Sequence, residues 1–443
     1  QLSAASTRAR SGGRVAGMGP RRRVWFLLAA SLKLERQCAV ALQARRAMST
    51  PARARRRRVD LADGRVDVAA MDPAALERYV VDVLLQPKYR AKQLRTEIFD
   101  KGVVDFSAMQ TLPKKFRDEL LEKCSIGGVI ASVAVEQVST RDGTIKRAYT
   151  MLDGTVIESV LMLYNDGRRT ACISSQVGCA MRCAFCATGQ MGFTRNLSSA
   201  EIFEQAARFS RELTAKGERL SNVVYMGMGE PMANYDAVLE SVRRINTELG
   251  IGARSITIST VGLVNGIDRL AEEPMQVGLA VSLHHSTDAA RSAIMPINKR
   301  YDLAALLGSV RKYQLKTNRK VTFEWAAISG VNDGADTAKE LAQLLQQHEI
   351  FNAHVNVIPL NPTAGYGGAR SRSSNVDEFC ALLVKKGYSA TPRVRRGIDI
   401  DAGCGQLTTK LNEAKKVAGG EPTPSMAALS DSIEDEAFAN ETR

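Results

Sequence analysis

Three cysteines lie within eight residues of one another, in the segment Cys179-Ala-Met-Arg-Cys183-Ala-Phe-Cys186. Thiolates at this spacing can converge on one iron–sulfur cluster and leave its fourth iron without a protein ligand. A structural zinc site with Cys172 as the fourth ligand is the alternative, because thiolates bind both metals. The four histidines all lie far from this segment, so a His-rich metal site is not expected.

Two further cysteines occupy positions that favour chemistry over packing. Cys172 lies on a predicted strand that leads into the cysteine-rich loop, and Cys404 lies between two glycines in Ala402-Gly-Cys-Gly405. A strand cysteine is usually a small buried apolar residue. The glycines around Cys404 instead predict a thiol on mobile backbone that approaches a substrate and then moves. The packing interpretation fits the remaining cysteines, Cys38, Cys124 and Cys380.

A third motif, Met228-Gly-Glu-Pro231, directly follows a predicted strand. A glycine at such a position lets the backbone approach a ligand closely, and the carboxylate of Glu230 can accept hydrogen bonds from an ammonium group. A tight turn without any ligand is the alternative.

The strings around these residues resemble the radical S-adenosylmethionine (SAM) superfamily and, within it, the RlmN/Cfr dual-specificity RNA methyltransferases, with RlmN the more similar branch. The resemblance covers about residues 85–412. The strings that carry it are Cys172-Ile-Ser-Ser-Gln-Val-Gly-Cys179, Gly192-Phe-Thr-Arg-Asn-Leu197, Val223-Val-Tyr-Met-Gly-Met-Gly-Glu-Pro231, Ser282-Leu-His284, Ile358-Pro-Leu-Asn-Pro362 and Gly397-Ile-Asp-Ile-Asp-Ala-Gly-Cys-Gly-Gln406.

This resemblance implies a [4Fe-4S] cluster, with SAM bound at its open iron and two SAM molecules used per turnover. The implied cluster ligands are Cys179, Cys183 and Cys186. The implied SAM-binding residues are Gly229, Glu230, Ser259, Ser282, Leu283, His284 and Asn361.

The resemblance also implies the catalytic residues. Cys404 is the expected methyl carrier, Cys172 its partner in a transient disulfide, and Glu158 the proton acceptor. Methyl transfer to Cys404 is followed by attack of a 5′-deoxyadenosyl radical on that methyl group and addition of the resulting carbon radical to adenine C2. The interval from Glu158 to Cys172 is one residue longer than expected of bacterial members, with the extra residue near Asn165-Asp-Gly167.

The implied substrates are an adenosine of large-subunit rRNA and the tRNA adenosine next to the anticodon, with a flavodoxin or ferredoxin as electron donor and a monomeric enzyme. Three alternatives remain open: methylation at adenine C8, a radical SAM reaction on another substrate, and a non-catalytic RNA-binding protein with a structural cluster. Basic residues that could contact RNA phosphates, or simply be solvated, are Lys114, Lys115, Arg117, Arg370, Arg372, Arg393, Arg395 and Arg396.

The elements that must position these residues form a repeating pattern. Short β-branched runs alternate with helical stretches after Arg169, which predicts an α/β fold with a parallel sheet. We expect a partial (β/α)6 radical-SAM barrel rather than a flat sheet, with the site at the carboxyl ends of the strands. One helix, Ile202–Leu213, begins after a capping-box sequence at Ser198. The predicted strands are Thr170–Ser174, Val223–Met226, Ser255–Ser259, Val277–Ser282, Val321–Trp325 and His354–Ile358.

Composition and charge divide the chain into five predicted parts. Residues 1–58 carry fifteen Lys and Arg against one acid, which equals the net charge of +14 of the whole chain. Such an arm is typical of an organelle presequence, although untranslated or misassigned sequence has the same appearance. The other parts are a small helical RNA-binding accessory domain (70–128), a β-rich connector (129–168), the barrel with its cysteine loop (169–412) and an acidic disordered tail (413–443).

The same composition limits the partners and the compartment. A hydrophobic fraction of 44% and a charged fraction of 24% exclude collagen, coiled coil and wholesale disorder. No apolar run approaches the roughly 20 residues that span a bilayer, so we expect no membrane partner. We expect a cytoplasm-type compartment as in the resembled family, or the plastid stroma or mitochondrial matrix if residues 1–58 are a transit sequence.

Overall fold

The structure, a computed structural model, describes residues 60, 61 and 63–408. The predicted basic arm (1–58) and acidic tail (413–443) lie outside the described residues. The strands of the described part are β1 (Val66–Asp67), β2 (Cys124–Ser125), β3 (Ile130–Val138), β4 (Ile145–Met151), β5 (Val156–Leu163), β6 (Arg169–Cys172), β7 (Gln176–Gly178), β8 (Phe193–Asn196), β9 (Asn222–Tyr225), β10 (Ile256–Thr260), β11 (Gly278–Ser282), β12 (Val321–Ala327), β13 (Ala353–Pro359) and β14 (Ser389–Pro392).

Helices connect these strands and bury one apolar face each against the core. The longest one confirms the predicted capping box: Ser198 accepts from the backbone N–H of Glu201, and the Glu201 carboxylate accepts from the backbone N–H of Ser198. The α-helices are Pro73–Asp82, Tyr89–Arg95, Lys114–Lys123, Ala187–Gln190, Ser199–Ala215, Tyr235–Glu248, Val264–Ala271, Asp288–Ile294, Leu303–Thr317, Ala335–Gln347 and Ser373–Lys385.

Ten strands form one sheet in the order β14-β13-β12-β11-β10-β9-β6-β5-β4-β3. The seven strands from β14 to β6 are parallel, and β5, β4 and β3 extend the sheet in antiparallel fashion. All six predicted strands are confirmed, with ends that differ by at most two residues. The sequence analysis missed the seventh, β14, because Ser389-Ala-Thr-Pro392 has no apolar run and ends in proline.

The parallel strands curl into a partial barrel. Arg393 follows β14 and Met226 follows β9, five strand positions away in the sheet. In a flat sheet this separation would be about 24 Å, at about 4.8 Å per strand. The Arg393 guanidinium nevertheless donates to the Met226 sulfur over 3.7 Å. The sheet must therefore be strongly curved, as the predicted barrel requires.

The predicted accessory domain is helical. Its second helix ends at Arg95 and continues as a single π-helical turn, Thr96–Asp100. Pro113 lies at the N-cap of the third helix. The apolar faces of these helices are directed inward, where Leu94 and Phe116 are buried.

An arginine of the barrel joins this domain to the rest of the chain. Arg244 donates to the backbone carbonyl groups of Ala69 and Ala70 over 2.7 and 2.9 Å and is paired with Glu248. Its guanidinium also lies 3.8 Å from the centre of the Phe203 ring. Since all these groups are buried or nearly so, the accessory domain is fixed to the outer helices of the barrel.

The β-rich connector consists of β3, β4 and β5. Val133 and Val135 alternate along β3, yet their side chains are exposed at 43% and 41%. The reason is that β3 is the edge of the sheet and packs only along its first residue, Ile130. Within the described residues, no helix is long and apolar enough to cross a membrane.

Removing the carboxylate of Asp67 should destabilise the accessory domain. This buried group accepts from the backbone N–H groups of Ala69, Gly127 and Val129 over 2.9–3.0 Å. Asp67→Ala would leave these donors without an acceptor, and we expect the free energy of unfolding in urea to fall by about 3 kcal/mol. The exposed Asp63→Ala is the matched control and should cost less than about 0.5 kcal/mol. Equal effects of the two variants would contradict this assignment.

Candidate active site

The carboxyl ends of β9 to β14, together with the cysteine-rich loop and the loop of Cys404, line one cavity of about 150 Å³. The structure thus brings together most of the residues that the sequence analysis predicted for the site. Those that line the cavity are Cys183, Cys186, Gly229, Glu230, Ser259, Ser282, His284, Asn361 and Cys404.

The cysteine-rich loop is held by backbone hydrogen bonds to three separate parts of the chain. Cys179 donates its N–H to Gly192, Ala184 to Ile294, and Ala187 to Gly405, over 2.8–2.9 Å. The last bond connects this loop directly to the loop of Cys404. Burial and the charges of the neighbouring thiols raise the pKa of Cys179, Cys183 and Cys186.

Gly229 occupies a position that only glycine can fill. Its φ is +100°, and a Cβ added there would lie 2.5 Å from Cβ of Gln176. The next residue, Glu230, is held by three backbone contacts: its N–H donates to Gln176, and its two carboxylate oxygens accept from the N–H groups of Met232 and Val261 over 3.0 and 2.8 Å. Glu230 thus lines the cavity with a carboxylate fixed by backbone donors, and a carboxylate oxygen can accept more than one hydrogen bond.

His284 is a fixed, neutral donor. Its φ of 60° is unusual for a residue with a side chain. Burial and the positive charge of Arg291 lower the pKa of His284 to about 3, so the ring is neutral near pH 7. Nδ1 accepts from the backbone N–H of Ala326 over 2.9 Å, which places the ring proton on Nε2. The edge of the Phe185 ring packs against the imidazole, with ring centres 4.8 Å apart.

The other predicted pocket residues differ in how they reach the cavity. Ser259 and Ser282 line it from β10 and β11. The Leu283 side chain is fully buried and does not line the cavity. Its backbone N–H donates to the carbonyl of Glu324, and its carbonyl accepts from Arg291. Leu283 therefore contributes to the site through its backbone position.

Asn361 holds the loop of Cys404. Its Nδ2 donates to the Cys404 carbonyl over 3.1 Å, and its Oδ1 accepts from Arg395 over 3.4 Å. A Cβ added at Gly403 would lie 2.5 Å from this Nδ2, and Gly405 has a φ of +79°. The two glycines next to Cys404 are therefore required for the observed close packing.

The thiol of Cys404 affects the pKa of Cys172. Cys172 is the last residue of β6 and is buried, and Cys404 is half-buried. Burial and then the charge of Cys404 raise the pKa of Cys172 to about 12, against the opposing charge of Arg393. Both are free thiols in this structure.

Glu158 lies on β5 outside the cavity lining. Its carboxylate accepts from the backbone N–H of Thr408 over 2.9 Å and lies 3.7 Å from the Lys146 ammonium. Burial raises the pKa of Glu158 to about 7, although Lys146 opposes this. The structure places this carboxylate against the segment that follows Cys404, so the carboxylate contacts the loop of Cys404 rather than the cavity.

Known proteins are similar to this chain over most of its length. Residues 173–345 match the radical SAM superfamily, and residues 66–126 match the ribosomal RNA large subunit methyltransferase N-terminal domain. The chain is 42% identical over 355 residues to ribosomal RNA large subunit methyltransferase N of Nitrosopumilus maritimus, covering 78% of this chain and 99% of that protein. It is 46% identical over 330 residues to dual-specificity RNA methyltransferase RlmN 1 of Myxococcus xanthus, covering 74% and 90%.

The chain belongs to the RlmN family. It is therefore a SAM-dependent RNA methyltransferase of the radical SAM superfamily, as the sequence motifs predicted. A solved radical SAM methyltransferase from Sphaerobacter thermophilus has the same fold, with a TM-score of 0.71 and 44% identity over 76% of this chain and 97% of that one.

Membership of the radical SAM superfamily implies a [4Fe-4S] cluster and SAM, and the residues of the cavity fit both. Three thiols with raised pKa values, two of them buried, need positive charge beside them to ionise, which cluster irons supply. In the part of the chain that the structure describes, no three His, Cys, Asp or Glu side chains converge on a single ion.

Two cavity residues were missed as parts of the site. Glu324 lies inside the apolar run of β12, where a single charged residue is the signal that could have identified it. Arg393 was predicted only as a contact for RNA phosphates, but its guanidinium is directed into the cavity and pairs with Glu324. The local sequence does not reveal that these two residues meet.

The buried carboxylate of Glu158 should make stability depend on pH. Because the folded pKa of about 7 exceeds the ordinary value of 4.5, the favourable contribution is complete below pH 4.5 and is lost as pH rises through 7. The difference in the free energy of unfolding between Glu158→Gln and the wild type, measured in urea, should therefore rise by roughly 2–3 kcal/mol in favour of the variant from pH 5 to pH 8.

Glu119→Gln on the helix Lys114–Lys123 is the control for this experiment, because its carboxylate pairs with Lys123 near the surface. We expect this variant to follow the wild type at both pH values. A Glu158→Gln variant whose stability differs from wild type by the same amount at pH 5 and pH 8 would contradict the raised pKa.

Proposed function

We propose that this enzyme methylates C2 of adenine in large-subunit rRNA and in tRNA, at the adenosine next to the anticodon, through a methyl-cysteine on Cys404. The observation that carries the proposal is the presence of Cys404 in the same cavity as the cluster-ligand candidates Cys183 and Cys186. A second thiol, Cys172, is close enough for their charges to interact.

A carrier thiol answers a specific chemical difficulty. The C2–H of adenine is a poor nucleophile and does not take a methyl group from SAM by displacement, whereas a thiolate does. When bound, the cluster and SAM supply the methyl group and the one-electron chemistry that activates it. The protein must then hold the carrier sulfur in the same enclosed space as the adenine ring, which is the position of Cys404.

Release of the product requires two further groups. After the methylene carbon on Cys404 joins the adenine ring, the adduct must lose one electron, which the bound cluster would accept, and the ring proton, for which Glu158 is the proposed acceptor. The Cys172 thiolate then attacks the Cys404 sulfur: the S–S bond forms, the S–C bond breaks, and its electron pair passes to the carbon, which takes a proton. The resulting disulfide is reduced by a dithiol. The raised pKa of Glu158 supports a proton-acceptor role near neutral pH.

For this role the Glu158 carboxylate must move, or another group must pass the proton to it, because the carboxylate now accepts from the N–H of Thr408. Thr408 lies four residues after Cys404 on the same segment. We infer that movement of the loop of Cys404 releases the Glu158 carboxylate. Proton transfer would then be coupled to the position of Cys404.

The base must leave its stack to enter the cavity, because a stacked adenine cannot reach the end of a barrel. Basic side chains near the cavity are the proposed phosphate contacts. Arg395 donates to Asn361 at the cavity wall, and burial together with the charge of Arg370 lowers the pKa of Arg395. Arg168 and Arg396 both lie over the ring of Tyr164, at 4.4 and 4.9 Å from its centre.

Loss of the carrier sulfur should abolish the reaction. Cys404→Ala and Cys404→Ser should both reduce methylation of an rRNA fragment by at least about a thousandfold, since no other group can take the polar methyl transfer. Mass spectrometry of digested RNA measures the product and separates C2-methyl from C8-methyl adenosine. Cys380→Ala, a buried cysteine on the helix Ser373–Lys385, is the control and should retain activity. Methylation by Cys404→Ala would end the carrier hypothesis, and a C8 product would replace the proposed ring position.

Loss of the resolving thiol should have a different effect. Cys172→Ala should accumulate a covalent protein–RNA adduct, because Cys404 can still join the adenine but nothing attacks its sulfur. A denaturing gel with labelled RNA would show the adduct as a band of reduced mobility. The double variant Cys172→Ala, Cys404→Ala should not form it, and a clean gel for the single variant would contradict the role of Cys172.

A further inference from the structure

An ion pair between partly exposed Arg393 and buried Glu324 lines the same cavity as Cys404. Arg393 follows β14, and its backbone N–H donates to the carbonyl of Val357 over 2.8 Å. Its Nη1 lies 3.5 Å from Oε2 of Glu324 and donates to the sulfur of Met226. Both Arg393 and Glu324 line the cavity together with Cys404.

Glu324 is held in place by its neighbours in the sheet. It lies on β12, paired in register with Ser282 on one side and Asn356 on the other. Its Oε2 also accepts from Nδ2 of Asn356 over 2.8 Å, and its side chain is only 6% exposed. Desolvating two charges costs about as much as their attraction returns, so such a pair is a poor device for stability alone.

The guanidinium lines the same cavity as Cys404, and it contacts the side chain of Met226, whose backbone N–H bonds to Cys172. Among the groups that shift the pKa of Cys172, Arg393 is the cation that opposes burial. Conversely, the charge of Cys404 contributes most to the raised pKa of Arg393, and Cys172 contributes as well. Because only the thiolate is a good nucleophile, a buried thiol needs such a neighbour to react.

We propose that Arg393, oriented by Glu324, is a positioning residue whose positive charge stabilises first the thiolate of Cys404 and then that of Cys172. This inference rests on the proposed function of the two thiols. In the first step the Cys404 sulfur forms a bond to the methyl carbon, while the C–S bond of the sulfonium breaks with its electron pair. The carrier is then a neutral thioether, so the guanidinium faces only Cys172.

The second step uses the same cation. The Cys172 thiolate attacks the Cys404 sulfur, the S–S bond forms, and the S–C electron pair passes to the product carbon, which takes a proton. The two sulfurs are oxidised by two electrons, the carbon is reduced by two, and a dithiol later reduces the disulfide. One fixed charge thus serves two nucleophiles in sequence.

Alkylation of the thiols by iodoacetamide tests this inference without RNA, SAM or turnover. The full-length, cluster-loaded protein would be treated anaerobically at pH 8, and the rate at each cysteine followed by mass spectrometry. Arg393→Met should slow alkylation of Cys404 by about tenfold, because the variant has no cation beside the attacking sulfur. Arg393→Lys keeps the charge and should remain within about threefold of wild type.

Three comparisons make the result specific. Arg243→Met removes an exposed arginine on the helix Tyr235–Glu248 and should leave the Cys404 rate unchanged. Glu324→Gln frees the guanidinium from its carboxylate partner and should accelerate alkylation of Cys404. The buried Cys124 and Cys380 are internal references, because they become reactive only if a variant loses its fold. If Arg393→Met loses its fold, the Cys404 alkylation rates of Arg393→Lys and Glu324→Gln test the inference instead.

Several outcomes would overturn the inference: a Cys404 rate in folded Arg393→Met equal to wild type, an Arg393→Lys as slow as Arg393→Met, or a slower rate in Glu324→Gln. Weaker RNA binding by Arg393→Met with unchanged alkylation would assign the residue to a phosphate instead. The proposed function fails separately, through methylation by Cys404→Ala, so the two failures are distinguishable.

Discussion

Seven parallel strands that end at the same edge of a curved sheet are the constraint on which the whole site depends. Parallel strands bring their carboxyl ends together, and curvature turns that edge into the rim of a cavity. Residues far apart in the sequence meet there: Cys172 ends β6, and Cys404 follows β14 after a short loop. The contact between Arg393 and Met226 shows that the carboxyl ends of β14 and β9 lie close together.

Backbone hydrogen bonds then fix the side chains around the cavity before any ligand binds. Glu230 and His284 accept from backbone N–H groups, and Asn361 donates to the carbonyl of Cys404. All three side chains line the cavity, so the same contacts fix the orientation of the groups that a ligand meets there. The site is therefore preorganised by the same strand ends that form it, which limits the reorganisation needed during the reaction.

The sequence predicts most of this arrangement where the signal is local. Six strands have clear β-branched runs, and the capping box at Ser198 specifies the start of a helix. The family motifs identify nine residues that line the cavity. Contacts between residues that are distant in the sequence have no such local signal. The pairing of Glu324 with Arg393 depends on curvature of the sheet, and β14 is a strand only because β13 offers it a partner. The exposure of Val133 likewise follows from its edge position.

The central claim is that the loop of Cys179, Cys183 and Cys186 holds a redox-active cluster that cleaves SAM. The most direct test is anaerobic reconstitution with iron and sulfide, followed by incubation with SAM and a reductant. We expect about four irons and four sulfides per chain, together with formation of 5′-deoxyadenosine. A colourless protein that binds zinc and leaves SAM intact would contradict the account, because the loop would then be structural.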